Sequence, residues 1–384
     1  MILHDITRYD KPGRYHVRIR NGKIHTITSH RKELDKVRDP ERLELDGALL
    51  LPGFINAHDH LDFNCFPAAG HHLYDGYREW VADVNNQDTD TFKKVLQIPQ
   101  PLRTALGVYK NLLNGFTTVV NHGEKLKIKK PVTGVYQEAL SLHSVAFEKN
   151  WAKKLKSHKG KKKPVIIHAG EGVTGMYSDE IDELLEQLPK SVSLIAVHGV
   201  TMKPAQAKHF SALVWCPASN DFLFGKTAAI DQLKKNTTIL FGTDSTLTAS
   251  WNAWSHFRLA MESGMVTENE LIKMLTVNAA CVLDMKSKGI LEEKSLADLV
   301  VVPPVEGTSS LFSFQPGDIQ LVMQEGRVRM ISRALSKQIQ PVFEKKYSPV
   351  SVHGQLKLVT GQPAALIQEV RKFYPEVDTG GVEW

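Results

Sequence analysis

Six side chains of this 384-residue sequence stand where chemistry could be done. His58 and His60 lie two apart at the end of FINAHDH. His168 ends the run PVIIH, His198 ends LIAVH, Asp244 ends ILFGTD, and Glu171 follows His168 by three positions. Imidazole and carboxylate are suitable ligands for a divalent first-row metal. Alternate residues of a strand share a face, so His58 and His60 can point at one ion. A lone His on a strand is more often a hydrogen-bonded structural residue, and the chain has 16 of them. Apolar runs that end in His or Asp at four separate strands, opened by His-x-His, are harder to explain that way. Glu171 has its own plain alternative, a helix-start carboxylate bonded to backbone amides.

These residues need strands to carry them. ALLLPGFINAH, FTTVVNHG, KPVIIHAGEG, SLIAVHGV, ALVWCPAS and TILFGTDS read as strands. Between them, TALGVYKNLLNG, SDEIDELLEQL and PAQAKHF read as helices, and TENELIKMLTVNAACVLD as one more, opened by a Thr267–Glu270 capping box. Repeated strand-helix units predict parallel strands. A distorted (β/α)8 TIM barrel over residues 51–286 suits this order, and its length is near the ~250 residues usual for that fold. A barrel carries its site at the carboxyl ends of its strands, where all six residues fall. Between residues 122 and 163 the pattern is irregular. LHSVAFEK is a good strand candidate; PVTGVYQ is a poor one that could equally begin a helix.

The chain ends are β-rich. Asn21-Gly22 and Glu325-Gly326 each sit between two partly alternating runs and predict hairpins, because such residues tolerate positive φ. Residues 1–50 and 287–345 therefore read as one small β-sandwich domain. Residues 346–384 are an extension beyond it, with QPAALIQEVRKFY an amphipathic helix that could cover the barrel or a partner subunit in a homodimer.

The bulk properties set the class. An apolar share of 42% and a charged share of 23% are those of a globular chain with a large core. No apolar run approaches a membrane span, and the start lacks a secretory layout. Three widely spaced cysteines exclude a disulfide framework or a thiolate metal cage, so a cytoplasmic location is the expectation. The net charge of +6 is concentrated in the lysines of residues 153–164. Without interleaved aromatics or a nucleic-acid fold signature, that stretch reads as a solvated helix end. Small-molecule chemistry, with no nucleic acid and no membrane, is the expectation.

PGFINAHDH, GFTTVVNHG, HAGE at 168–171, CPASN at 216–220, GTDS at 242–245 and the stretch 276–302 together resemble the amidohydrolase superfamily. The branch they resemble holds adenosine and cytosine deaminases and chlorohydrolases. The resemblance implies one divalent ion, Zn²⁺ or alternatively Fe²⁺, held by His58, His60, His168 and Asp244. It implies that His198 orients water, that Asp244 also accepts a proton, and that Glu171 passes protons to a ring nitrogen and a leaving group. Such ions lower the pKa of bound water from 15.7 toward ~7. Dinuclear relatives add a bridging carboxylate or a carboxylated lysine, which Glu148 and Lys149 could mimic; His-x-x-Glu argues for a single ion. Hydrolytic deamination of an aminated nitrogen heterocycle is the leading reading. Alternatives are cyclic amide or imidazolone C–N hydrolysis, triazine-type dechlorination, and a non-catalytic binding protein on the same fold. Substrate contacts are expected from His122, Asn220, Ser245 and Trp80. Residues 61–100 should supply an aromatic lid or pocket wall from Phe63, Phe66, Tyr74, Tyr77 and Trp80, unless these only pack the loop down.

Overall fold

In the computed structural model, residues 1–307, 309–339 and 346–384 are described. Residues 340–345, which the sequence reading assigned to the β-rich end, lie outside them. Eight parallel strands carry the centre of the chain. Phe54–Asp59, Phe116–Asn121 and Gly134–Tyr136 form a three-stranded sheet. Leu140–Leu142, Val165–Ala169, Leu194–His198, Ala212–Trp215 and Thr238–Phe241 form a five-stranded one. Phe116–Asn121, Val165–Ala169, Leu194–His198 and Ala212–Trp215 are buried on both faces, as parallel strands flanked by helices must be. One face packs Ile55, Ala57 and Val120 of the first sheet with Ile166, Ile195, Val197, Val214 and Leu240 of the second. The other face, including Phe54, Phe116, Trp215 and Phe241, packs on helices through residues such as Trp254 and Phe257. Each fully buried aromatic of this kind stabilises the fold by about 2 kcal/mol.

The last strand abuts the first. The amides of Thr243 and Asp244 each donate to the His58 carbonyl at 3.1 Å. Gly242 permits this approach: a Cβ there would lie 2.7 Å from the His58 Cβ and 2.8 Å from Val214 Cγ1. At the other junction, the third and fourth strands are three residues each and do not pair. No helix separates them among the described residues. PVTGVYQ thus supplies a short strand rather than a helix start, and LHSVAFEK keeps strand geometry only as far as Leu142. The eight strands thus lie in two sheets rather than in one unbroken ladder.

Both hairpins form. Asn21 and Gly22 (φ 51° and 77°) join Arg14–Arg20 to Lys23–Thr28, and Glu325 and Gly326 (φ 49° and 71°) join Leu321–Gln324 to Arg327–Ser332. Where the sequence predicted a sandwich, these strands lie in a single eleven-stranded sheet. Its order runs Val382–Glu383, Tyr347–Val352, Gln355–Thr360, Arg327–Ser332, Leu321–Gln324, Leu299–Val302, Leu49–Pro52, Ile2–Arg8, Arg14–Arg20, Lys23–Thr28, with Arg42–Glu44 beside Ile2–Arg8. Residues beyond 346 thus extend the same sheet. The helix Pro363–Phe373 packs on the helix Gln100–Leu113. The predicted helix over 267–284 is broken at Thr276, whose φ and ψ of −136° and −98° leave helical space while its hydroxyl bonds back to the Ile272 carbonyl. The lysine-rich stretch is a short helix, Trp151–Ser157, and a turn, with Lys154 and Lys163 paired to Glu148 and Glu138. Cys65, Cys216 and Cys281 are all free. Among the described residues no helix is long and apolar enough to cross a membrane.

Candidate metal and acid-base site

The strand ends bring the six side chains together. Ring centroids of His58 lie 5.0 Å from those of His60 and His168 and 5.9 Å from that of His198. Asp244 Oδ1 is 3.9 Å from Nε2 of both His58 and His60. Glu171 bridges the far side, with Oε2 3.4 Å from His168 Nδ1 and Oε1 3.6 Å from His198 Nε2. Two of these residues hold left-handed backbone that side chains usually avoid, His198 at φ 73° and Asp244 at φ 57°. Such conformations persist where surrounding contacts over-determine them, and they concentrate at functional sites.

The electrostatics suit a cation. Burial, reinforced by neighbouring imidazoles, pushes His58, His122 and His168 well below the usual histidine range, so they are neutral and present lone pairs. Burial also opposes ionisation of Asp244, but His60, His198 and the Ser219 hydroxyl outweigh it and hold that carboxyl at about 2. Burial pushes Glu171 up, against the pull of His198. Both ring nitrogens of His58 and His168, Nε2 of His198 and Oε2 of Glu171 are buried without a hydrogen-bond partner. Buried polar atoms are rarely orphaned, so this concentration is what residues awaiting an ion would show. Among the described residues, three overlapping sets have donor atoms within 4.8 Å of one another: His58, His60 and His168; His58, His198 and Asp244; and His168, Glu171 and His198.

A second layer fixes the first. His198 Nδ1 lies 2.9 Å from Asn220 Oδ1; the carbonyl oxygen accepts, so Nδ1 carries a proton, and Nε2 faces Glu171. Asp244 Oδ2 takes the hydroxyls of Ser219 at 2.9 Å and Thr248 at 3.2 Å, and Oδ1 takes the Ser245 amide at 2.7 Å. CPASN thus supplies two supports, one for each partner strand. Asn220, expected to face a substrate, is fully buried behind His198 instead.

Two cavities meet over the cluster. The inner one, of about 70 Å³, is lined by Phe63, Tyr77, Trp80 and Leu247 above and by His168, Glu171 and Asp244 below. Ser245 and Trp80 therefore reach it. His122 lines instead an outer, adjoining cavity of about 520 Å³ with His60, Phe63, Asp62 and Glu148. Residues 61–100 do cover the strand ends. Tyr77 N donates to the Glu171 carbonyl at 3.1 Å, Tyr74 N to Leu223 O at 2.8 Å and Ala69 N to Leu247 O at 2.9 Å. Trp80 both lines the inner cavity and pins its loop, Nε1 donating to Ala69 O at 2.7 Å. Phe63 stacks on His60 at 5.6 Å. Phe66 and Tyr74 are buried and pack the loop down, Phe66 in a cluster with Leu106, Trp251 and Val370 and Tyr74 in one with Leu223 and Phe224.

His143, which sequence reasoning passed over, lines both cavities and sits 5.2 Å from the His168 ring. It follows the apolar strand Leu140–Leu142, the same signal that marked the other histidines. Glu148 takes the His143 amide and Lys154 rather than joining the histidine cluster, and Lys149 is exposed.

Sequence comparison matches residues 123–329, more than half of the chain, to the amidohydrolase family. A 5-methylthioadenosine/S-adenosylhomocysteine deaminase from Pyrococcus furiosus is 28% identical over 197 residues, 43% of this chain and 46% of the relative. The chain spans about half the length of the curated relatives it matches. Among solved structures, an adenosine deaminase from Xanthomonas campestris with bound zinc is similar at a TM-score of 0.65 and 15% identity, covering 98% of both chains. An atrazine chlorohydrolase from Arthrobacter aurescens complexed with zinc gives 0.65 and 15%, covering 97% of this chain and 99% of that one. At such identity the likeness concerns the fold, a mixed α/β architecture with parallel-strand sheets. On the family match, the chain belongs to the amidohydrolase family.

Proposed function

We propose that this chain is a metal-dependent hydrolase that removes an amino group from a nitrogen heterocycle. The observation that carries the reading is Glu171. It is a buried carboxyl, pushed toward its protonated form, that lines the inner cavity and touches both His168 and His198. An acid so placed can protonate a ring nitrogen as the adjacent carbon is attacked and then pass a proton to the departing amine, a second transfer that a leaving chloride does not require.

His58, His60, His168 and Asp244 would hold one divalent ion, zinc being the leading choice, and Glu171 and His198 remain for proton transfer. The ion supplies a water acidified toward pKa ~7 and polarises what it touches. The chain's own residues do the rest. Asn220 keeps the His198 proton on Nδ1, leaving Nε2 to accept a hydrogen bond or proton. Ser219 and Thr248 keep the Asp244 carboxylate aimed at His58 and His60. Phe63, Tyr77 and Trp80 provide faces against which a flat ring can lie, and the loop that bears them excludes water from Glu171. The outer cavity beside His122 and His143 has room for a ring substituent. We read the two parallel sheets as one distorted barrel, its ends joined at His58 and Asp244. The sheet from both chain ends is a separate β unit on this reading. The Pyrococcus furiosus relative, a deaminase, is in keeping with this chemistry.

The test is a screen of amino-substituted purines, pyrimidines, pterins and triazines for ammonia release by zinc-loaded protein. Release from at least one ring class is expected. No release from any, alongside cleavage of a cyclic amide by the same preparation, would replace deamination with ring opening.

A further inference from the structure

The helix Gln100–Leu113 presents a lysine to the interior, behind the strand ends. Lys110 is 1% exposed and is among the largest fully buried side chains. Its three donors are all spent. Nζ donates to Asn64 Oδ1 at 2.6 Å, to the Asp244 carbonyl at 2.9 Å and to Asp59 Oδ2 at 3.4 Å. Asp59 stands between His58 and His60, and both of its oxygens are taken: Asn64 Nδ2 donates to Oδ1 at 2.9 Å and Asn111 Nδ2 to Oδ2 at 2.7 Å. Asn64 also donates to the His60 carbonyl at 3.1 Å and accepts from Thr246 N at 3.2 Å. Lys110, which lines neither cavity, thus ties the segment of His58 and His60 to the segment of Asp244.

Packing alone does not call for an ion pair here. Buried pairs repay their desolvation poorly, and an apolar pair of similar volume is often as stable. The particular atom that Lys110 grips is informative. Asp244 is in left-handed backbone at φ 57°, and rotating its peptide would swing the carboxylate away from His58 and His60. Its carbonyl is held by Lys110 Nζ and by Thr243 Oγ1, at 2.9 and 3.0 Å. Asp59 neutralises the lysine, so the clamp adds no net charge beside the cluster.

We propose that Lys110 is a positioning residue of the metal site: by holding the Asp244 carbonyl it fixes the strained backbone that aims the Asp244 carboxylate at His58 and His60. This rests on the reading of Asp244 as a ligand. Lys110→Met alone would strand Asp59 as an unpaired buried charge, so the informative variant is Lys110→Met with Asp59→Asn, which removes charge in balance. The full chain is titrated with Zn²⁺ against a chromogenic chelator, a readout that needs no substrate, and its thermal midpoint is measured in parallel. The double variant should melt close to the wild type yet bind zinc ~10–100-fold more weakly, the loss typical of removing outer-shell support. Lys110→Gln with Asp59→Asn is read in the same way if the methionine pair does not fold. Wild-type zinc affinity in either folded variant would overturn the inference. So would failure of both to fold, since the lysine would then be a folding element. A wild-type chain that binds no zinc would instead overturn the metal reading itself.

Discussion

Replacing Glu171 by glutamine separates three roles that the geometry allows this carboxyl: proton carrier, metal ligand and structural acid. Glutamine keeps the volume and the planar end group but cannot give up a proton at neutral pH. Glu171 lies 3.4 and 3.6 Å from the two flanking imidazoles, so the amide fits the same space. If Glu171 carries protons, turnover should fall by ~10²–10⁴, or about 3–5 kcal/mol of barrier. KM should move little, because the ring contacts of Phe63, Tyr77 and Trp80 are untouched. Zinc content should stay at wild-type level, since His58, His60, His168 and Asp244 are intact. The stability effect has a definite sign. A carboxyl whose folded pKa is raised above its unfolded value stabilises the fold below the unfolded pKa and loses that contribution as pH rises through the folded one. At pH 7 Glu171 is therefore a burden in the metal-free protein, and the variant should melt at the same temperature or higher. The assay is steady-state ammonia release with metal analysis and calorimetry on one preparation. Turnover within tenfold of wild type would refute the proton-carrier role. Loss of zinc would make Glu171 a ligand.

Further outcomes are expected elsewhere. Asn220→Ala should leave His198 Nδ1 without its acceptor in a fully buried setting, costing about 1–3 kcal/mol in denaturant unfolding and lowering kcat more than it raises KM. An unchanged kcat would mean that the His198 tautomer does not matter. Lys357 is 3% exposed, and burial, opposed by Asp318, draws its ammonium down to about 8 from 10.5, while Nζ donates to the Ile319 carbonyl at 2.7 Å. Because the folded pKa is below the unfolded one, the native chain pays for this charge below pH 8, and stability recovers between pH 8 and 10.5 by about 3 kcal/mol. Lys357→Met, which also loses one hydrogen bond, should gain about 2 kcal/mol at pH 7 and lose up to about 1 kcal/mol at pH 10.5, where only the missing hydrogen bond counts. A gain that does not depend on pH would show that the lysine is not charged when buried.

The site was legible because strands expose chemistry at their ends. Apolar runs that stop at His58, His168, His198 and Asp244 need no tertiary information to be noticed, and the hairpin turns at Asn21-Gly22 and Glu325-Gly326 declare themselves through positive φ. His143 follows the same rule, but its strand is three residues long and too short for periodicity to mark. Lys110 was hidden for a different reason. A lysine on a helix reads as solvent-facing, and only the approach of Asn64, Asp59 and Asp244, distant in sequence, makes it interior. Asn220 was visible as part of CPASN, but its direction, toward His198 rather than the cavity, depends on how the helix Pro217–Phe224 leaves its strand. The order of strands in the eleven-stranded sheet lies beyond local pattern, because alternation reports which face is buried and not which neighbour is paired.

The central claim is that His58, His60, His168 and Asp244 hold one ion beside a free Glu171. Anomalous diffraction at the zinc edge, from crystals of the zinc-loaded chain, tests it most directly. The account predicts a single strong peak within coordination distance of those four side chains, with Glu171 outside it. A peak held by His168, Glu171 and His198 instead, or none at a site loaded with stoichiometric zinc, would contradict it.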